Sequence, residues 1–163
     1  AGTFMYHTHL MEVRQQESGL FGAMIVLPPG EAWDAAHDHV FLAGTRRDGP
    51  PTINGSPRPP ELVWEAGRAH RIRLINITTG APNLRFLLTR ADSTPVEWTS
   101  IAKDGMDLPA RQQQTRRAVQ PVAMGETYDM RFTAAQAGEY LLLARSANPA
   151  VPPYAVQRIR VAP

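Results

Sequence analysis

His7 and His9 stand one residue apart in the stretch "GTFMYHTHLMEVRQQESGLFGAMIVLPP", residues 2–29. On an extended strand, residues i and i+2 point to the same face and lie about 6.5 to 7 Å apart. Imidazole is the commonest side-chain metal ligand near neutral pH. Two imidazoles at this spacing can hold one metal ion or reach two adjacent ones. The alternative is a pair of polar residues on an exposed strand face, and the spacing leaves both open.

The 163 residues include no cysteine, so the chain has no disulfide, no thiolate ligand and no thiol nucleophile. A second His-x-His, His37 and His39 in "AAHDHVF", reads as surface polarity where a strand begins, or as an adventitious metal site. His70 is flanked by Arg68, Arg71 and Arg73, a setting that predicts a solvent-facing side chain. Asp104, Gly105 and Asp107 offer two carboxylates, but Asp-Gly is a strong turn dipeptide and a turn is expected. The six methionines are scattered as single core-type positions, although Met5 and Met11 lie near the first histidine pair and could line a metal path. Asn54 and Asn76 open Asn-x-Ser/Thr triplets, Asn76 within a strand pattern. No serine sits in a nucleophile-elbow pattern, and no glycine-rich phosphate loop is present.

The elements that must position these residues are short. Fifteen prolines and twelve glycines divide the chain into runs that favour strands. These are residues 3–7, 23–27, 40–43, 62–65, 70–77, 84–89, 96–102, 127–133, 140–144 and 155–161. In "HRIRLINI", Ile72 and Leu74, with Asn76, lie opposite Arg71, Arg73 and Ile75. In "YDMRF", Tyr128, Met130 and Phe132 lie opposite Asp129 and Arg131. Period-two alternation between turn residues predicts an antiparallel sandwich or barrel. One helix is expected, over residues 10–18, stopped by Gly19.

Residues 27–38, "LPPGEAWDAAHD", read as a linker. Beyond it lie some eight strands, about enough for a sandwich of roughly 100 residues. Before it lie two strands and a helix, too few to close one. Residues 1–30 therefore read as the end of one domain and 31–163 as a complete second domain. The formal net charge is +2, and the basic residues are scattered without interleaved aromatics, so nucleic-acid binding is not expected. No run is long enough for a membrane-spanning helix. The pattern begins at Ala1 without a visible signal peptide, as expected of a piece of a longer chain.

"GTFMYHTH", followed by "RQQESGLFGAMIV", resembles a motif of the multicopper oxidases, the laccase-like cupredoxin enzymes. Gly2, Thr3, Tyr6, His7, His9, Gln15 or Gln16, Gly19, Leu20, Gly22, Ile25 and Val26 match. Met5 stands for the usual Trp and Thr8 for the usual Ser. "TINGSPRPPELVWEAGRAHRIRLINIT", "AKDGMDLP" and "VAMGETYDMRFTAAQAGEYLLLAR" are similar to segments of that family's second domain. The resemblance covers nearly the whole chain, most closely at the first motif.

The resemblance implies an all-β, cupredoxin-like Greek-key β-sandwich, with a partial cupredoxin domain at the N-terminus. It implies that residues 1–30 end a first cupredoxin domain and 31–163 form a copper-free second one. By position, His7 and His9 would ligate the type 3 copper pair of a trinuclear cluster. The parent enzyme would couple one-electron oxidation of a reducing substrate to reduction of dioxygen to water, in the periplasm or outside the cell. Its remaining cupredoxin domains would be the partners of this chain. The chain alone, without a thiolate or the other cluster ligands, is expected to be inactive. Two alternatives stand beside this reading: a relative of the copper nitrite reductases, which carry a His-Cys pair here, and a non-catalytic cupredoxin-like module for metal binding or assembly. A severed piece should expose apolar faces of Phe4, Tyr6, Met24 and Val26 and could associate as a homo-oligomer.

Overall fold

A computed structural model of the chain describes residues 1–80 and 84–163. The first elements are β1 (Gly2–His7), α1 (Glu12–Glu17) and β2 (Phe21–Val26). After the linker come β3 (Asp38–Arg46), β4 (Gly49–Ile53), β5 (Leu62–Glu65), β6 (Ala69–Ile77) and β7 (Leu84–Arg90). β8 (Glu97–Lys103), β9 (Met106–Asp107), a 3-10 turn at Ala110–Gln112, β10 (Thr115–Arg117) and β11 (Val119–Pro121) follow. β12 (Thr127–Thr133), β13 (Gly138–Ser146) and β14 (Ala155–Ala162) complete the order.

Every run expected to be extended is a strand. β4 and the short β9, β10 and β11 are additions. β4 contains Pro50 and Pro51, which argue against a strand. It is tolerated because it is an edge, paired only with β3, so a missing N–H breaks no ladder on its outer side. The helix is shorter than residues 10–18. Met11 takes the left-handed conformation at φ 47° and delays the start, and Gly19, at φ 90°, ends it as expected. Asp104 and Gly105, at φ 48° and 77°, form the tight turn between β8 and β9, as the dipeptide predicted.

Two sheets face each other. One runs β10-β8-β12-β6-β3-β4 with β9 on β8; the other runs β11-β7-β13-β14-β5. Most pairings are antiparallel, while β3–β6 and β14–β5 are parallel. The inward residues, among them Phe41, Ile72, Leu74, Trp98 and Met130 from one sheet and Phe86, Leu88, Leu142 and Ile159 from the other, form one core. Each large side chain removed from water there contributes about 1.5–3 kcal/mol.

β1 and β2 form a separate antiparallel hairpin that lies against the outer face of the first sheet. Met5, Phe21 and Ala23 pack there on Leu42, Ile75 and Ile77, a second, smaller apolar cluster. This cover changes the reading of "HRIRLINI". The face carrying Arg73 and Ile75 is buried like the other, with Arg73 only 3% exposed.

The buried charges are paired. Arg73 grips both oxygens of Asp38 through Nε and Nη2, at 2.6 and 2.5 Å. Its Nη1 donates to the Thr3 hydroxyl at 2.7 Å and to Asp129 at 3.2 Å. Arg71 donates twice to the same Asp129 oxygen, at 2.9 and 2.5 Å. The Thr3 hydroxyl donates to the other Asp129 oxygen at 2.7 Å, and Thr127 Oγ1 donates to the Thr3 carbonyl at 3.0 Å. The hairpin is thus riveted to β6 and β12. Beside it Phe4 lies so close to the Asp104–Gly105 turn that a Cβ on Gly105 would meet its ring at 2.2 Å.

Both sequon amides are spent inside the fold. Asn76 is buried and donates to the Val122 carbonyl, and Asn54 donates to the Val40 carbonyl while accepting from the Leu42 N–H.

Asp129→Ala would leave two guanidinium groups partly unpaired in a dry site. We expect a loss of about 3–5 kcal/mol in urea unfolding. Arg160→Ala, which breaks the exposed pair with Glu61 at 3.2 Å, is expected to cost less than about 1 kcal/mol. Equal losses would mean that the cluster is no anchor.

Candidate metal centre

The hairpin ends where its chemistry begins. β1 stops at His7, opposite Phe21, and His9 follows two residues beyond the strand. The rings still converge, with centroids 4.6 Å apart and planes tilted by 40°. His7 is partly buried and His9 exposed.

α1 folds back beneath His7 because its polar face carries the partners. Gln16, on its last turn, is buried and its Nε2 lies 3.0 Å from His7 Nδ1 and 3.0 Å from Glu12 Oε1, to which it donates. Glu12 Oε1 is 3.5 Å from the same His7 nitrogen. The Thr8 carbonyl lies 3.1 Å from it. The Thr8 hydroxyl donates to Gln15 Oε1. Both glutamines of the motif therefore brace the histidine loop.

Two tautomers compete at His7. With its proton on Nε2, Nδ1 accepts from Gln16. With its proton on Nδ1, it donates to the Thr8 carbonyl and leaves the Nε2 lone pair free. A metal selects the second, the arrangement in which a backbone carbonyl orients a ligating histidine. The donor set, neutral imidazoles beside one carboxylate, suits copper, zinc or nickel. Among the described residues, no three His, Asp or Glu side chains already surround one point. The hairpin therefore offers part of a coordination shell. Met5 packs in the second apolar cluster, and Met11 is exposed.

The other histidines depart from expectation. His70 is buried, not solvent-facing, and stacks on Trp64 with centroids 4.3 Å apart and planes 14° from parallel. His39 is also buried, not surface polarity; its Nε2 lies 3.1 Å from His70 Nδ1. The arginines beside His70 in sequence turn elsewhere, two of them into the charge cluster. His37 remains half-exposed and bonds Asp34 Oδ2 through Nδ1 at 2.8 Å. The alternation of β6 placed His70 on the inward face with Ile72 and Leu74, a signal the flanking arginines masked.

Burial, then repulsion from the His70 ring, pushes the pKa of His39 down to about 4. His70 is lowered too, chiefly by burial, while the Glu65 backbone carbonyl, Asp34 and Glu65 pull it upward.

No protein-family model matches the sequence, and a search among curated proteins finds no match. Solved structures do match. A multicopper oxidase structure superposes with a TM-score of 0.76 at 19% identity, over 99% of this chain and 56% of that one. A blue copper oxidase from Nitrosomonas europaea gives 0.73 at 18% identity, with the same shares of 99% and 56%. A copper nitrite reductase from Nitrosomonas europaea gives 0.72 at 16% identity, over 99% and 62%. The fold is the all-β, cupredoxin-like sandwich of these proteins. The chain spans little more than half the length of each.

The histidine pair makes stability depend on pH. Above about 6.5, His39 is neutral in both the folded and the unfolded chain. As pH falls from 6.5 towards about 4, the unfolded chain binds a proton that folded His39 refuses, so stability drops. The slope approaches about 1.4 kcal/mol per pH unit for one such group. Asp34 and Glu126, held below their ordinary values of 3.8 and 4.5 by hydrogen bonds from His37 and Lys103, lose their contributions only at lower pH. Melting curves between pH 7 and 5 should show the fall, and His39→Gln should make it shallower, leaving the share of His70. A flat profile in the unmodified chain would contradict the buried neutral pair.

Proposed function

We propose that this chain is a segment of a multicopper oxidase. In this reading, residues 1–30 are the last strands of one cupredoxin domain, and residues 31–163 are a copper-free middle domain. His7 and His9 are two ligands of the type 3 pair in a trinuclear copper cluster. One observation carries the reading: two converging imidazoles sit at the open end of a hairpin that is clamped to a complete sandwich yet has an uncovered apolar outer side. Tyr6, Met24 and Val26 are 59%, 48% and 42% exposed there, next to exposed Leu10, Met11, Val13 and Leu20. Phe4, in contrast, packs over Gly105. Such a face suits the rest of a β-sandwich.

Copper held there would supply one-electron redox chemistry for reducing dioxygen to water at the expense of a reducing substrate. The chain's own residues prepare the ligands. The Thr8 carbonyl accepts a hydrogen bond from His7 Nδ1–H and leaves the Nε2 lone pair free. Glu12 Oε1, 3.5 Å from that Nδ1 and itself held by Gln16, is a second acceptor beneath the ring. The charge cluster fixes the angle at which the hairpin leaves the middle domain. The partners are then the remaining cupredoxin domains of the parent, and its compartment the periplasm or the exterior. No helix among the described residues is long and apolar enough to cross a membrane.

The nitrite reductase likeness is nearly as strong in shape. A histidine pair around Thr8, in a chain without cysteine, favours the oxidase. The non-catalytic module is favoured by no specific observation.

Sequencing the gene outward from both ends is the first test. An in-frame His-x-His upstream and a His-Cys-His downstream are expected; a reading frame closing near residues 1 and 163 overturns the reading. In the full-length protein, His7→Ala should cut dioxygen consumption by more than the roughly 10–100-fold typical of a lost supporting residue. The visible band of the mononuclear copper should survive the change. The isolated chain should self-associate in sedimentation velocity, and Met24→Lys should shift it towards monomer. A monomeric unmodified chain would count against an uncovered domain face.

A further inference from the structure

Three imidazoles meet far from the hairpin in sequence and on different elements. His37 comes from the linker, His39 from β3 and His70 from β6. They line one cleft of about 290 Å³ with Trp64, and no residue of β1 or α1 lines it. Nothing in the reading above uses them.

Their nitrogens are arranged as donors. His39 Nε2 and His70 Nδ1 are 3.1 Å apart. Two nitrogens bound to one zinc at about 2.0–2.1 Å with a tetrahedral angle stand about 3.3 Å apart. The pair already has nearly that separation, with a shared proton where a cation would sit. His37 contributes a third ring, its centroid 5.4 Å from that of His70. Asp34 holds its Nδ1, which leaves Nε2 as the ligating atom. His70 Nε2 is buried without a hydrogen-bond partner, and so is Trp64 Nε1. A proton on His70 Nε2 frees Nδ1 for the cation. Arg68, at the same cleft, is neutralised by Glu65 at 3.4 Å, so no unpaired cation opposes a metal there.

We propose that His37, His39 and His70 form a mononuclear binding site for a divalent transition metal, copper or zinc, separate from the His7–His9 pair. His39 and His70 are the preformed half. His37 closes the site by turning inward, which explains why no three ligands stand around one point beforehand. Its half-exposed position on the linker gives it that freedom. Closure staples the linker to β3 and β6, and the proton between the two rings moves to the other nitrogen of its own imidazole, so that both facing lone pairs bind the cation. The low basicity of these rings helps, because neutral imidazole is the ligand.

The test uses the folded chain carrying His7→Ala and His9→Ala, so that failure of the oxidase reading cannot influence it. Copper(II) is titrated in, then zinc(II) in competition. One equivalent of copper should bind, quench tryptophan fluorescence through Trp64, and show at least two imidazole nitrogens in its electron paramagnetic resonance spectrum. Zinc alone should raise the melting temperature, and only a large excess of zinc should displace bound copper. His37→Ala, a change at a half-exposed residue that should leave the fold intact, is expected to weaken binding by about tenfold or more. His39→Gln alters the buried stack on Trp64 as well as the site, so the nitrogen count in the unaltered site is the decisive reading. No binding near one equivalent, fewer than two imidazole nitrogens, or an affinity indifferent to His37→Ala would each overturn the site.

Discussion

Asp129 is the residue on which the arrangement turns. It is 1% exposed, and its carboxylate is shared by Arg71, Arg73 and the Thr3 hydroxyl. Burying an ion costs several kcal/mol unless its partners are saturated and well placed. Here saturation needs three segments at once: β6 for the arginines, β12 for the aspartate and β1 for the threonine. Asp38 completes the charge balance by taking Arg73 in a two-point grip. Asp129 Oδ1, Arg73 Nη1 and Thr127 Oγ1 each lose the Thr3 partner unless the hairpin lies where it does. A single polar constraint therefore sets the position of residues 2–7 on the sandwich.

The rest of the hairpin follows from that anchor. The closeness of β1 to the Asp104–Gly105 turn requires glycine at residue 105, where a side chain would strike Phe4. Pleating then alternates the side chains of β1: Thr3 and Met5 turn to the sandwich, while Tyr6 remains exposed. His7 emerges at the end of this ruler, where α1 can reach it with Gln16 and Glu12. On the outward rows of β1 and β2, Tyr6, Met24 and Val26 remain exposed, while Phe4 packs over Gly105.

The two groups of histidines illustrate opposite uses of one side chain. His7 and His9 are kept near solvent, and His7 is oriented by a backbone carbonyl and a side-chain amide. His39 and His70 are stacked on Trp64 and deprived of water, so their basicity falls. Burial makes the second pair a liability in acid and, with His37 beside it, a ready nest for a metal. The difference arises from covering elements, since both groups contain the same His-x-His spacing.

The sequence by itself determined whatever depends on near neighbours. Alternation in "YDMRF" and "HRIRLINI" specified strands because side chains alternate faces every two residues. Asp104–Gly105 specified a turn because both residues accept positive φ, and Gly19 stopped the helix for the same reason. The spacing of His7 and His9 put two imidazoles side by side, even though His9 lies beyond the end of the strand. Only the tertiary structure decided what each face would meet. His70 was expected at the surface among charges, yet it is buried against Trp64, and Arg73 on the other face is enclosed by the hairpin. β4 could be a strand despite Pro50 and Pro51 because it fell at an edge. Pairing order, cover and burial are set by contacts between residues as distant as Thr3 and Asp129, and no local pattern encodes which distant surface will remove a side chain from water.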